Sequence, residues 1–399
     1  MRPLLAGLLA LSLQVSTTAD AQARGTFRTG GHLKLFTVTS VPKEGDPLGE
    51  EASGQAVSDL RLKLNWRPIR SLRVELHPQL TLTHAGSALS GLQTGVQEGL
   101  PEALPLSADL IDEDAVQARA RADRASVRLD QGPLRVTAGR QAVSFGKGRI
   151  FTPLDLVAAF RPTTLDTSYK PGVDALRLDL FQGVSGQVTL LGAYLGDWEL
   201  DQSALVAHGK GSLGDWELEG FVGGLYGDLV LGTSAFYNAG AVGLYGDLNV
   251  TLPEDDSFIR ALVGVQFKPS ESTHLNAEVY IQTLGASEPD DYLLQYASPR
   301  FARGEVWLAG ELYGAVAGQL ELTPLVSLSG ALIVNPLDTS ALIMPSLVWS
   351  VSDNATANLG ALVGLGRASA PAGPPVGLRL RSEFGHLPST AFLSASVYF

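Results

Sequence analysis

The chain has 399 residues, 45% of them hydrophobic, with 44 glycines, no cysteine and a formal net charge of −12. A small disulfide-stapled secreted module is excluded, and no linker or composition break divides the chain, so one large domain is expected. Charge is uneven: residues 1–180 hold 21 Lys+Arg against 19 Asp+Glu, and residues 181–399 hold 8 against 22, giving +2 and −14.

The chain opens with Arg2, an apolar run from Leu4 to Leu13, and small residues at Ala21 and Ala23. This is the pattern of a secretory signal peptide over residues 1–23, cleaved after Ala21 or Ala23. The apolar run is about half of the ~20 residues that a membrane-spanning helix needs, and no later run approaches that length. Any membrane crossing must therefore be made by strands.

From residue 26 onward, apolar and polar residues alternate with period two. Leu60, Leu62, Leu64 and Trp66 share one face, opposite Arg61, Lys63, Asn65 and Arg67; Leu72, Val74, Leu76, Leu80 and Leu82 oppose Arg73, Glu75, His77, Gln79 and Thr81. Sandwich strands average about five or six residues, whereas a tilted strand crossing a bilayer needs ~9–11. These runs have the second length. Short connections (RPIR, QGP, KPSEST) contrast with long ones at 38–56, 85–116, 146–171 and 285–302, the asymmetry of a transmembrane barrel. The acidic stretches DLIDEDAV (109–116), PEDD (253–256) and SEPDD (287–291) lack calcium-loop spacing and read as solvated loops.

If the apolar faces meet lipid, Arg61, Lys63, Arg67, Arg73, Arg119, Arg121, Arg128, Arg135 and Arg177 face the lumen, because an arginine facing lipid costs roughly 2–4 kcal/mol at the midplane. Two readings remain open. The basic residues line a conducting pore that favours polar or anionic solutes, or they pair with Glu75, Asp123, Asp130 and Asp179 and fill a structural barrel.

The stretch GRQAVSFGKGRIFTPLDLVAAFRP (139–162) resembles a phosphate-binding loop, but six residues separate Gly139 from Gly146, and Gly148, not Ser or Thr, follows Lys147. Parity places Arg140 on the lipid face with Leu134, Val136 and Ala138. A bulge at Gly139 is expected to reverse this, turning Arg140 and Ser144 inward and Val143 and Phe145 toward lipid. FTPLDL is read as a short helix capped by Thr152 with Pro153 in its first turn. Arg149, just before it in the same loop, is a further pore candidate.

Two near-repeats come next: LGDWEL at 195–200 and 213–218, and GLYGDL at 224–229 and 243–248. Their Gly-Asp pairs are expected at turns, flanked by Trp198, Trp216, Tyr226 and Tyr245 as interfacial aromatics. Alternation resumes through Ile259–Phe267 and Leu275–Ile281. At the end, Ala391, Leu393, Ala395, Val397 and Phe399 share one face, and the chain stops at the aromatic. Six histidines (His32, His77, His84, His208, His274, His386) show no motif tying them to a serine nucleophile.

About nineteen candidate strands are found, and a single-chain bacterial barrel needs an even number. The ambiguous region is 229–252. The expected fold is all-β: a transmembrane antiparallel up-and-down β-barrel over residues 24–399 with about 18 strands, or alternatively 16. No cofactor, metal, catalytic residue or nucleic-acid partner is expected.

The terminal strand with Leu393, Ala395, Val397 and Phe399 resembles the C-terminal assembly signal of Gram-negative outer-membrane barrels. That resemblance implies an outer-membrane location, with the lipid bilayer, lipopolysaccharide and the barrel-assembly machinery as partners. Within 139–177, Arg140, Gln141, Gly146, Gly148, Arg149, Asp155, Gly172, Asp174, Ala175 and Arg177 follow an order that resembles the alginate-export-like and related porin families. It implies a roughly 18-stranded monomeric channel with an arginine-rich constriction, passing an anionic saccharide or a small solute. The FGKGR and FTPLDL segments depart from that pattern.

Overall fold

The computed structural model describes residues 25–44, 47, 51–85, 101–113, 115–197, 199–372 and 377–399. The expected signal peptide and Trp198 lie outside the described residues, as does residue 114. The strands in chain order are β1 Thr26–Val41, β2 Ser53–Ile69, β3 Leu72–Ala85, β4 Ser107–Glu113, β5 Val116–Gln131, β6 Leu134–Gln141, β7 Val173–Gln182, β8 Gly186–Tyr194, β9 Ser203–Leu213 and β10 Trp216–Leu225. They continue with β11 Asp228–Ala239, β12 Val242–Leu252, β13 Phe258–Ser270, β14 Thr273–Gln282, β15 Leu312–Thr323, β16 Val326–Asn335, β17 Ser340–Ser352 and β18 Ala355–Leu365. Two short pieces, β19 Ala370–Pro371 and β20 Leu378–Arg379, pair with each other, and β21 Ser389–Tyr398 ends the sheet.

Every neighbouring pair is antiparallel, and β21 pairs with both β18 and β1, which closes the sheet into a barrel. Eighteen strands form the wall. The extra strand, β4, pairs only with the first half of β5, while β6 pairs with the second half. The ambiguous 229–252 region resolves into β11 and β12 joined by a turn at Gly240–Ala241. Among the described residues, tight turns such as 132–133 and 214–215 lie at one end, and the long connections 142–172, 283–311 and 366–388 lie at the other. The last of these was not anticipated from the sequence.

The outward face carries the alternating apolar set. Leu62 is 39% exposed, Val263 72%, Val279 58% and Leu359 56%, which in water would be an aggregation surface and in a bilayer is the lipid contact. Leu393 and Val397 share that face with Ala395. Phe399 is exposed, and its backbone exchanges hydrogen bonds with Gly31 of β1 at 2.8 and 3.1 Å. The final residue thus completes the closing seam.

The inner face is not uniformly polar. One apolar cluster joins Val143, Leu154, Leu156 and Val157 of the 142–172 connection to Leu191, Val206 and Phe221 on the inner side of β8–β10. A second joins Phe151 to Tyr280, Tyr313, Ile333, Leu342, Phe384 and Leu387. The 142–172 connection therefore crosses the interior and packs on the β8–β18 side.

Three sequence expectations are corrected here. Val143 is 1% exposed in the first cluster, and Phe145 packs on His208 and Phe221, with ring centroids 4.9 and 5.9 Å away; both face the interior, not lipid. FTPLDL forms a single turn, closed by Asp155 N–H donating to the Thr152 carbonyl at 3.1 Å, not a helix. The second GLYGDL lies inside β12, and its Tyr245 is a buried interior residue, not an interfacial one. Trp216 does flank the Gly214–Asp215 turn, its ring tilted against Tyr237 with centroids 4.9 Å apart.

Candidate functional site

The basic inner wall is built on β1, β2, β3 and β5. Pro78 has no N–H to donate, so a central ladder cannot run unbroken through it. The β3–β5 register slips there: His77 pairs with Arg124 and Pro78 with Ala122, leaving Asp123 as an extra residue. The bulge lets Asp123 and Arg124 both face inward. Asp123 is 1% exposed and binds Arg61 at 2.7 Å, Arg124 at 2.9 Å and also Arg121.

Above this cluster the 142–172 connection presents Tyr169. The Arg61 guanidinium lies 3.6 Å from the Tyr169 ring centroid, Arg124 4.6 Å and Lys63 5.6 Å, and the hydroxyl hydrogen-bonds to His77 Nδ1. Cations over an electron-rich ring are attracted by its quadrupole, so Tyr169 fixes the connection to the basic wall. Nearby, Lys34 of β1 pairs with Asp166 at 2.6 Å and donates to Ser168 at 2.9 Å. Burial pushes the Asp166 carboxyl up, but Lys34 and the Ser168 donors bring it below its ordinary value. Between wall and connection lies a solvent-open cleft lined by Lys34, Asp59, Arg61, Gln79, Arg121 and Tyr169 among others.

Toward the short-turn end, the other candidate basic residues sit beside carboxylates. Arg73 is 2.9 Å from both Asn65 and Glu75, Arg135 is 2.6 Å and Arg128 3.5 Å from Asp130, and Arg177 is 2.9 Å from Asp179. Nearer the opposite end of β5, Arg119 is 3.5 Å from Asp109 of β4. These side chains remain partly exposed, 25% for Arg128 and 43% for Arg119, so paired charge and accessible donors coexist.

Arg140 is placed differently from the expectation. Gly139 has φ +108°, and a Cβ there would collide with the Ala125 carbonyl, so glycine is required. The ladder nevertheless continues without a slip, with Gly139 opposite Ser126 and Arg140 opposite Ala125. Arg140 is 4% exposed and fills the seam between the end of β6 and the start of β4. It binds both Asp174 oxygens at 2.9 Å, donates to the carbonyls of Ala122 at 3.0 Å and Leu104 at 3.1 Å, and meets Glu102 at 3.1 Å. Arg140 replaces ladder bonds that no strand supplies there.

The glycine-rich segment does bind anions, and they are the protein's own carboxylates. Asp247 of β12 accepts the N–H groups of Lys147 and Gly148 at 3.0 Å. Glu278 of β14 accepts those of Arg149, Ile150 and Phe151 at 2.7, 3.1 and 2.8 Å, plus the Tyr245 hydroxyl at 2.8 Å. A Cβ on Gly148 would collide with the Phe151 carbonyl, so only glycine permits this tight cradle. Arg149 itself is exposed and does not meet Asp155. Lys170 binds Asp155 at 2.6 Å, and burial raises the Asp155 carboxyl to about 6 against the pull of Lys170.

The sequence reading missed Arg124, Tyr169, Asp247 and Glu278. Pro78 inside an alternating run was the available signal for the bulge that exposes Arg124 inward. Acidic residues on otherwise apolar inner strands were the signal for the anchors. Of the histidines, His32 pairs with Asp59 at 3.1 Å, His208 with Glu219 at 3.2 Å and His77 with Tyr169; none of these contacts is with a serine hydroxyl.

No protein-family model and no curated protein matches the sequence. Among solved structures, the chain is similar to OccAB1 of Acinetobacter baumannii, at 8% identity, with 93% of this chain and 96% of that chain covered and a TM-score of 0.56. It is also similar to the outer membrane channel DcaP of Acinetobacter baumannii (13% identity, 96% and 99% covered, TM-score 0.49) and to a mutant of the Rh. blastica porin (9%, 94% and 100%, TM-score 0.48). The closed, even-stranded barrel with an apolar outer belt is the fold of integral outer-membrane porins.

Proposed function

We propose that this barrel is a passive outer-membrane channel whose solute path runs off-centre, along the basic wall of β1, β2, β3 and β5. The carrying observation is the solvent-open cleft between that wall and the Tyr169 segment, whose lining includes Lys34, Arg61 and Arg121. Arg61 and Arg121 in its lining, with Lys63, Arg73, Arg119, Arg124, Arg128, Arg135 and Arg177 elsewhere on the inner face and Arg149 on the connection, favour polar or anionic solutes. An anionic saccharide fits that charge, as the resemblance to the alginate-export-like porins implies. In this reading residues 1–23 are removed on export. The β21 face with Phe399 serves the barrel-assembly machinery, and the belt contacts lipid and lipopolysaccharide.

One observation favours a second reading. Asp123 engages three arginines at once, and apolar clusters pack the 142–172 connection onto the inner wall, as a plugged structural barrel would require. Planar-bilayer recording separates the two. The channel reading expects ohmic conductance and, in a salt gradient, a reversal potential of anion-preferring sign that moves toward neutrality in the Arg61→Gln, Arg121→Gln double variant. Absence of conductance, or cation preference in the wild type, would overturn it.

A further inference from the structure

The interior contains a second carboxylate centre that the solute path does not use. Glu383, in the 366–388 connection, is 2% exposed. Its Oε1 accepts the Ala309 N–H at 2.7 Å, and its Oε2 accepts the Tyr313 hydroxyl at 2.5 Å and the Asn335 amide at 3.0 Å. Asp338, also 2% exposed, accepts the Glu383 N–H at 2.6 Å and the Ser340 N–H at 2.9 Å. The Asp338 carboxylate is thus tied to the Glu383 backbone, not to its carboxyl group. Facing them are Tyr313 from β15, Asn335 from β16, Tyr292 and Tyr296 from the 283–311 connection, and His386 on Glu383's own connection, in ring contact with Tyr296. Among the described residues, no Lys or Arg ion pair reaches either acid.

The centre joins three connections at one point. Ala309 belongs to 283–311, Asp338 to the β16–β17 turn and Glu383 to 366–388. Next to Glu383, Phe384 and Leu387 pack in the same apolar cluster as Phe151 of the inward connection. Movement of the 366–388 segment would therefore be felt by the segment that bounds the cleft.

We propose that Glu383 and Asp338 form a proton-operated latch: while Glu383 holds a proton beside Asp338, the 366–388 connection is held inside the barrel, and loss of that proton loosens it. The physical cause is that two carboxylates in a dry cluster without a counter-cation resist ionising together. Burial pushes the Glu383 carboxyl up to about 7, with Asp338 adding to the rise and the Tyr313, Ala309 and Asn335 donors opposing it. The sign is that of a raised folded-state value. The protonated acid supports the fold at low pH, and that support is lost as pH rises through about 7. Any effect on conductance rests on the channel reading; the latch itself does not.

Amide hydrogen exchange of residues 377–388 in detergent tests it, comparing the full chain with Glu383→Gln at matched pH to cancel intrinsic exchange chemistry. At about pH 6 the two are expected to exchange alike. At about pH 8.5 the wild type is expected to exchange roughly tenfold faster, since each unit of displacement carries a factor of ten. Equal exchange at both pH values would overturn the latch, as would loss of protection in Glu383→Gln already at the lower pH. Asp338→Asn supplies a second arm: it removes the neighbouring charge that adds to the rise of Glu383 and is expected to shift the transition downward. An unmoved transition would also overturn the latch.

Discussion

Replacing Glu278 and Asp247 together by alanine is expected to free the 146–151 segment from the inner wall and to raise single-channel conductance severalfold, with added current noise. Glu278 accepts three backbone N–H groups and Asp247 two. Each buried donor left without an acceptor costs about 1–3 kcal/mol, so losing five of them exceeds what the apolar contacts of Phe151 can hold. Glu278→Gln keeps one acceptor oxygen and is expected to fall between. Single-channel recording of the three proteins checks this. Wild-type conductance in the double variant would mean that the segment is held by the apolar clusters alone.

Arg140→Ala is expected to lower stability rather than selectivity. Breaking a buried ion pair from one side leaves the other charge uncompensated, at about 3–5 kcal/mol, and here the Ala122 and Leu104 carbonyls lose their donor as well. Arg140→Lys keeps the charge but not the planar fork that spans Asp174 and two carbonyls, so it should recover only part of the loss. Thermal unfolding in detergent measures the effect, and an unchanged midpoint in Arg140→Ala would show that the seam is closed by other means.

The wall was legible because lipid enforces one rule on the outward face. Leu60, Leu62, Val263 and Val279 are apolar for that reason, and their period of two survives any loop arrangement. The interior obeys no such rule. Once the 142–172 connection folds inward, Leu191, Val206 and Phe221 are apolar on the lumen side as well, so alternation fades along β8–β10. The same cause misplaced Val143 and Phe145, whose apolar character was assigned to lipid. GLYGDL shows the limit of local chemistry: one copy ends β10 in a turn at Tyr226–Gly227, and the other continues through β12, where Asp247 is recruited to the Lys147 and Gly148 amides. Six identical residues take two conformations because their tertiary partners differ. Arg140 was recognised as an exception to parity, and Gly139 as its neighbour in cause, but the resolution lies in β4 starting only opposite Arg121, which no pattern around Arg140 encodes.

The chain has no cysteine, so a single introduced thiol reports one position only. Ser168 stands in the cleft beside the basic wall, whereas Thr251 is fully buried on the inner side of β12. With Ser168→Cys and Thr251→Cys proteins in planar bilayers, a small methanethiosulfonate reagent is predicted to reduce the current through the first and leave the second unchanged. Block of the Thr251→Cys protein, with none of the Ser168→Cys protein, would place the solute path on the opposite side of the barrel and contradict the off-centre basic passage.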